Sequence, residues 1–309
     1  MALLPFRYPV SGPLDARDGV IVVLFMRASH ISVAPVVGVL FNADLALVGE
    51  DALQFIASSG EWKPLTPRRR AHAYRRMSAA AVKGLPNEYL EMKGGCSGDD
   101  VGAYAFFYYG TDLTDEAADP RETSAVEMWF PTEVVERRGL DAFAQDVLNL
   151  ASHLPFSSGY CSLAFNVEDD AWSDVERDVT APLAMRHPGM DLHMTVLTTG
   201  FMGDGVRGAY WLTLVGPAAL QTLQLDADGL CESLEDPGIT VYELDHDVAI
   251  RAGDELRPGD VNYGDRLPLT RKVAAVLEPV IIVQERAAFG FDRDDPLTRF
   301  LEWQRRHLD

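Results

Sequence analysis

The sequence predicts an α+β fold: two packed α/β modules, each a mainly antiparallel sheet covered by helices, plus a C-terminal amphipathic helix. Three observations lead there. Short β-branched and aromatic runs come in neighbouring pairs, as antiparallel strands do, rather than singly between helices as in a doubly wound sheet. Segments with apolar residues at helical spacing separate those runs. The same rhythm restarts near residue 181. We therefore expect one domain over residues 1–309, built from an N-terminal half (about 1–180) and a C-terminal half (about 181–309).

The elements follow in order. Residues 19–26 form a β-branched apolar run that reads as a buried strand. From Ser32, a candidate cap, residues 32–48 follow helical spacing. Thr66 and Pro67 supply an N-cap and first-turn proline for a second helix that runs through Val82 and stops at Gly84. Strand-like runs lie at 89–93, 103–109 and 125–130, a helix at 133–150 and a strand at 160–167. The second half offers strands at 192–198 and 210–215, helices at 217–223 and 227–234, and a strand pair at 239–244 and 248–252. A helix at 267–277 and a strand at 280–284 follow. Asp295 and Pro296 open the last helix, which runs to about His307 with Leu297, Phe300, Leu301 and Leu308 on its apolar face.

Composition narrows the function. With 47% hydrophobic and 24% charged residues the chain is globular, and at 309 residues it can bury a core without staples. Its 47 acidic against 27 basic side chains give a net charge of -20, which opposes direct binding to nucleic acid. The charge is uneven: residues 1–93 carry 11 Lys and Arg against 8 Asp and Glu, net +3, and residues 94–309 carry 16 against 39, net -23. The apolar run at 20–26 is too short to cross a bilayer, and 33–48 is interrupted by Pro35, Asn42 and Asp44. Without a signal-like N-terminus, the expected location is the cytoplasm, with no membrane partner. Cys96, Cys161 and Cys231 lack CxxC spacing and read as buried free thiols.

Few residues suggest chemistry. His187, Asp191 and His193 lie within seven residues, and period 2 would put Asp191 and His193 on one strand face, where a metal-dependent enzyme could hold its ion. Pro188-Gly189 is, however, a turn dipeptide, which favours a turn leading into a strand. His246 between Asp245 and Asp247 fits a hairpin turn better than an acid–base site. Nucleophile motifs are absent, and the glycine runs at 200–205 and 94–98 lack the spacing or the lysine of a nucleotide loop. No cofactor is expected. The arginines between Arg68 and Arg76 are the one basic concentration, read as an internal or oligomeric electrostatic feature. Homo-oligomerisation stays open.

Several short motifs then occur in a recognisable order: Leu154-Pro155-Phe156-Ser157-Ser158-Gly159-Tyr160, Arg186-His187-Pro188-Gly189-Met190-Asp191, Gly208-Ala209-Tyr210-Trp211-Leu212-Thr213, Ile250-Arg251-Ala252-Gly253, and Gly259-Asp260-Val261-Asn262-Tyr263-Gly264-Asp265. In these the chain resembles the bacterial type VI secretion immunity family, once known only as a domain of unknown function (TsiV-like). The layout extends over roughly residues 20–285. Tyr210, where a polar residue is expected, and the charged run Asp254-Glu255-Leu256-Arg257 depart from the pattern.

The resemblance implies a non-catalytic antidote, made beside a secreted effector toxin used in interbacterial competition. It implies a nuclease as the toxin, its active site covered by the antidote. A nuclease presents a cationic cleft to phosphate, so an acidic protein can occupy it and gain association rate by steering. Candidate toxin-binding residues are Glu168, Asp169, Asp170, Asp174, Asp245 and Asp247. A toxin other than a nuclease is the alternative. The motif residues His187, Pro188, Gly189, Trp211, Gly253, Gly259 and Asp260 read as structural, setting turns and, for Trp211, anchoring the core.

Overall fold

The computed structural model describes residues 6–8, 14–77, 87–115, 118–167, 175–192, 195–284 and 295–308. Twelve strands join in one sheet: β1 (Arg7–Tyr8), β2 (Ala16–Met26), β3 (Phe55–Ser58), β4 (Glu61–Pro64), β5 (Glu88–Lys93), β6 (Ala105–Gly110), β7 (Ser124–Phe130), β8 (Ser158–Val167), β9 (Met190–Leu192), β10 (Leu212–Val215), β11 (Ile239–Glu243) and β12 (Val248–Ala252). Their order is β11-β12-β10-β8-β2-β7-β6-β5-β3-β4, with β1 on β2 and β9 on β8. Every pairing is antiparallel except β8 with β9. The fold is thus α+β as expected, but a single sheet runs through both halves where two were expected. The join is β8 against β10, residues Ser158 to Cys161 facing Val215 to Leu212.

The centre of the sheet is apolar on both faces, which is why β2 reads as an unbroken hydrophobic run. Val20, Val22, Leu24 and Met26 enter one core with Phe106, Met128 and Phe130, while Ile21, Val23 and Phe25 enter another with Trp129, Tyr160 and Tyr210. A third core gathers Val215, Val248 and Ile250 with residues of the C-terminal helices.

Ten α-helices lie among the described residues: α1 (His30–Val48), α2 (Pro67–Arg76), α3 (Thr132–Arg138), α4 (Leu140–Ala151), α5 (Ala181–Arg186), α6 (Thr195–Thr198), α7 (Pro217–Leu223), α8 (Ala227–Ser233), α9 (Pro268–Leu277) and α10 (Pro296–Gln304). By length and composition α1 could cross a membrane, at a mean hydropathy of 2.0. Here it lays Val33, Val37, Leu40, Phe41 and Leu45 on the sheet core. Thr66 caps α2 as expected, accepting the Arg69 amide at 3.3 Å. The expected helix at 133–150 is two, because Gly139 at φ 83° ends α3 and starts α4.

Other expectations are corrected. Helix α1 starts at His30, with Ser29 rather than Ser32 in the cap position. The short pairs β1–β2 and β3–β4 were not anticipated. Residues 192–198 are not a strand: β9 ends at Leu192, and residues 195–198 form α6. Residues 280–284 contribute one isolated bridge, Ile281 to Val206. On α10 the buried side chain is Phe300, followed by Trp303 and His307, whereas Leu297 is exposed. Only Cys161 is a buried thiol; Cys96 and Cys231 are exposed.

Candidate functional site

The motifs of the C-terminal half meet in space around a buried ion pair. Asp191 on β9 and Arg207, before β10, have side chains 0% and 4% exposed and lie 2.7 Å apart. Asp191 also accepts the hydroxyls of Tyr160 on β8 at 2.8 Å and Tyr210 at 3.3 Å, and Arg306 after α10 stands 3.7 Å from it. The two tyrosine rings stack at 4.1 Å. Arg207 donates onward to the Leu192 carbonyl, 2.8 Å, and to the Tyr160 hydroxyl. Burial alone would lower the Arg207 pKa, but Asp191 and the tyrosines outweigh it and hold the guanidinium charged. Tyr210, the departure in the motif, is a functioning member of this network; burial pushes its phenol up to about 12.

A second layer fixes the loop after β12. His187 shares a 2.6 Å hydrogen bond between Nδ1 and the Gly259 carbonyl, and Arg186 forms an ion pair with Asp260 at 2.6 Å. Asp260 in turn accepts the Asn262 amide at 2.9 Å. Trp211 is 4% exposed and donates to the Gly253 carbonyl at 3.1 Å. His187, Trp211, Gly253, Gly259 and Asp260 thus come together at this loop, with Gly253 and Gly259 at positive φ. The residues His187, Asp191 and His193 do not form a metal set: His187 and Asp191 go to different partners, and His193 lies outside the described residues. Among the described residues no cluster of three or more His, Cys, Asp or Glu could hold a metal ion.

At Gly189 the amide donates to the Pro258 carbonyl at 2.8 Å, and a Cβ would collide with the Arg257 carbonyl oxygen. Gly189→Ala is expected to lower stability by about 1–3 kcal/mol through overpacking. Amide exchange over residues 254–265 should accelerate with it; unchanged exchange would mean that the loop is held elsewhere.

Beside this loop lies a mainly apolar pocket of about 220 Å³, between the end of β12 and the start of α9. The departing run at 254–257 forms part of its wall.

The acidic residues divide into two kinds. Many are occupied locally: Asp100 accepts the Leu14 and Cys96 amides, Asp112 bonds Thr114, and Asp119 pairs with Arg121. Around the edge strand β11, Asp236 pairs with Lys272 and Asp226 accepts the Gly229 amide, but others are unoccupied. Asp228, Glu232, Glu235, Glu243 and Asp245 are exposed, and among the described residues none of their carboxylates has an ion pair or hydrogen bond. Asp245 and His246 form the turn joining β11 to β12, closed by the Leu244 amide on the Asp247 carbonyl at 2.9 Å. Asp247 is half-buried, and burial raises its pKa. The structure thus brings Asp245 and Asp247 together; Glu168, Asp169, Asp170 and Asp174 lie outside the described residues. Reading the sequence missed Glu232, Glu235 and Glu243 as candidates, although they sit within the acidic region from 226 to 260.

Helix α2 carries the opposite charge. Arg70 donates to the Glu50 carbonyl at 2.7 Å, Arg69 to the Pro64 carbonyl at 2.7 Å, and Arg76 pairs with buried Glu88. Part of the basic run is therefore internal. Arg68, His72 and Arg75 remain on its exposed side.

A family model described as TsiV, type VI immunity for VRR-NUC, matches residues 42–307. Among solved structures, a Pseudomonas aeruginosa T6SS protein, PA0821, is similar with a TM-score of 0.82 and 20% identity, over 96% of this chain and 83% of that one. No curated protein matches the sequence.

Proposed function

We infer the mode of action of this chain from its family: it belongs to the TsiV family of type VI immunity proteins for VRR-NUC. It is an immunity protein rather than an enzyme, and its partner is a VRR-NUC nuclease effector. We propose that it neutralises that effector by covering the cationic cleft where the nuclease would grip phosphate. The observation that carries this reading is the edge strand β11, flanked by carboxylates that have no ion pair or hydrogen bond among the described residues. A polyanionic edge meets the same field that attracts a nucleic-acid backbone, which raises the association rate and orients the encounter. Glu168, Asp169, Asp170 and Asp174 remain candidate contacts in this reading by sequence alone, and the cytoplasm, where an effector would reach nucleic acid, is the compartment in which it acts.

The test is kinetic. Glu243→Lys/Asp245→Lys, and separately Glu168→Lys/Asp170→Lys, should cut the association rate with an inactivated cognate effector about tenfold or more at low salt and flatten its salt dependence. Rates and salt slopes equal to wild type in both variants would sink the steering model.

A further inference from the structure

The pocket beside β12 supplies what an acidic edge lacks, a means of slowing dissociation. Its inner surface includes Tyr210, Trp211, Leu256 and Leu269, with Ala252 on one side. Its mouth is charged: Asp254 and Glu255 have side chains 92% and 60% exposed. Asp254 lies 3.7 Å from Arg251, and Glu255 lies 3.7 Å from Arg257. Asp141, 91% exposed, also reaches Arg251, at 2.6 Å, and Asp265 pairs with Arg257 at 2.5 Å. Of the charged side chains that line the pocket itself, Asp254 and Glu255 face one guanidinium, Arg257, which leaves the rim net negative.

The wall opposite is conformationally demanding. Leu267, the residue before α9, sits at φ 54°, in the left-handed region that branched side chains avoid. Such a residue persists only where its surroundings impose it, here against the Gly189 and Gly259 turns. That wall is therefore interlocked with the Gly189 and Gly259 turns.

Size and charge select the occupant. A cavity of about 150 Å³ accepts benzene, so 220 Å³ accommodates an aromatic side chain. The apolar interior favours a ring, and the carboxylate rim favours cations beside it. An aromatic residue flanked by Lys or Arg on a nuclease's phosphate-binding surface meets both conditions. We propose that this pocket receives one aromatic side chain of the effector and is the anchor of the complex, the rim acting as the polar ring that excludes water around it. This inference rests on the immunity reading above.

The full chain is tested against the inactivated cognate effector. Ala252→Phe fills the pocket and is expected to weaken Kd at least 100-fold, mainly through faster dissociation. Asp254→Lys/Glu255→Lys reverses the rim on exposed positions and should weaken Kd at least tenfold while the melting temperature stays near wild type. Amide exchange over residues 253–257 and 267–270 should slow in the wild-type complex. Wild-type affinity in both folded variants, or exchange unchanged by the effector, overturns the anchor while the immunity reading stands. If Ala252→Phe does not fold, the rim variant and the exchange pattern decide alone. A wild-type chain that does not bind the effector overturns both readings. A small molecule retained in the purified protein by native mass spectrometry, with effector binding insensitive to the rim, overturns the anchor alone.

Discussion

Arg207→Met is expected to lower stability by about 3–5 kcal/mol, the loss associated with stripping one partner from a buried ion pair. The Asp191 carboxyl would be left at 0% exposure with only the hydroxyls of Tyr160 and Tyr210 and the more distant Arg306 as partners. In a thermal melt this corresponds to a drop of roughly 10 °C for a chain of this length. Asp191→Asn should restore at least half of the loss when combined with Arg207→Met, because no uncompensated carboxylate then remains. A double variant as unstable as the sum of the two singles would locate the damage in packing instead. Effector affinity measured well below the melting temperature should be unchanged in the folded variants, since neither group reaches the surface. That separation matters for reading the motifs: the buried Asp191–Arg207 pair maintains the join between the halves, whereas Tyr210 and Trp211 also line the pocket proposed to meet a partner.

Legibility in the sequence followed the range of the forces involved. Strand β2 was clear because both of its faces are buried, and the β11–β12 hairpin because Asp245-His246-Asp247 interrupts two alternating runs. The β3–β4 hairpin escaped notice although Ser59 and Gly60, both at positive φ, mark its turn, since each strand is only four residues long. Thr195, Val196 and Thr198 have strand propensity but form α6, where tertiary contacts outweigh a weak local preference. The single sheet was hidden because β8 finds β10 some fifty residues later, a pairing with no local signal. The same holds for the site. Asp245 and Asp247 could be named from composition, whereas the Asp191–Arg207 pair and the pocket depend on residues that only folding brings together.

The other large effect concerns Asp44, on the sheet-facing side of α1. It is 2% exposed and has no hydrogen bond or ion pair among the described residues. Burial raises its pKa from the usual 3.8 to about 7. The folded chain therefore holds this proton more tightly than the unfolded chain does. Between pH 3.8 and 7 the unfolded state loses the proton while the folded state keeps it, so the Asp44 contribution makes stability fall as pH rises and level off above 7. Over the whole shift this amounts to about 4 kcal/mol, at 1.36 kcal/mol per pKa unit. Asp44→Asn resembles the protonated side chain in shape and removes the penalty. Urea unfolding should show the variant more stable than wild type by a few kcal/mol at pH 8, by less at pH 5, and by almost nothing near pH 4. An advantage independent of pH would instead assign the gain to helix propensity or packing. No advantage at pH 8 would mean that the ionised carboxylate is solvated in the folded chain. The carboxylate lies far in sequence from the acidic edge, so the same substitution should leave effector association unchanged, and stability and recognition can be adjusted independently.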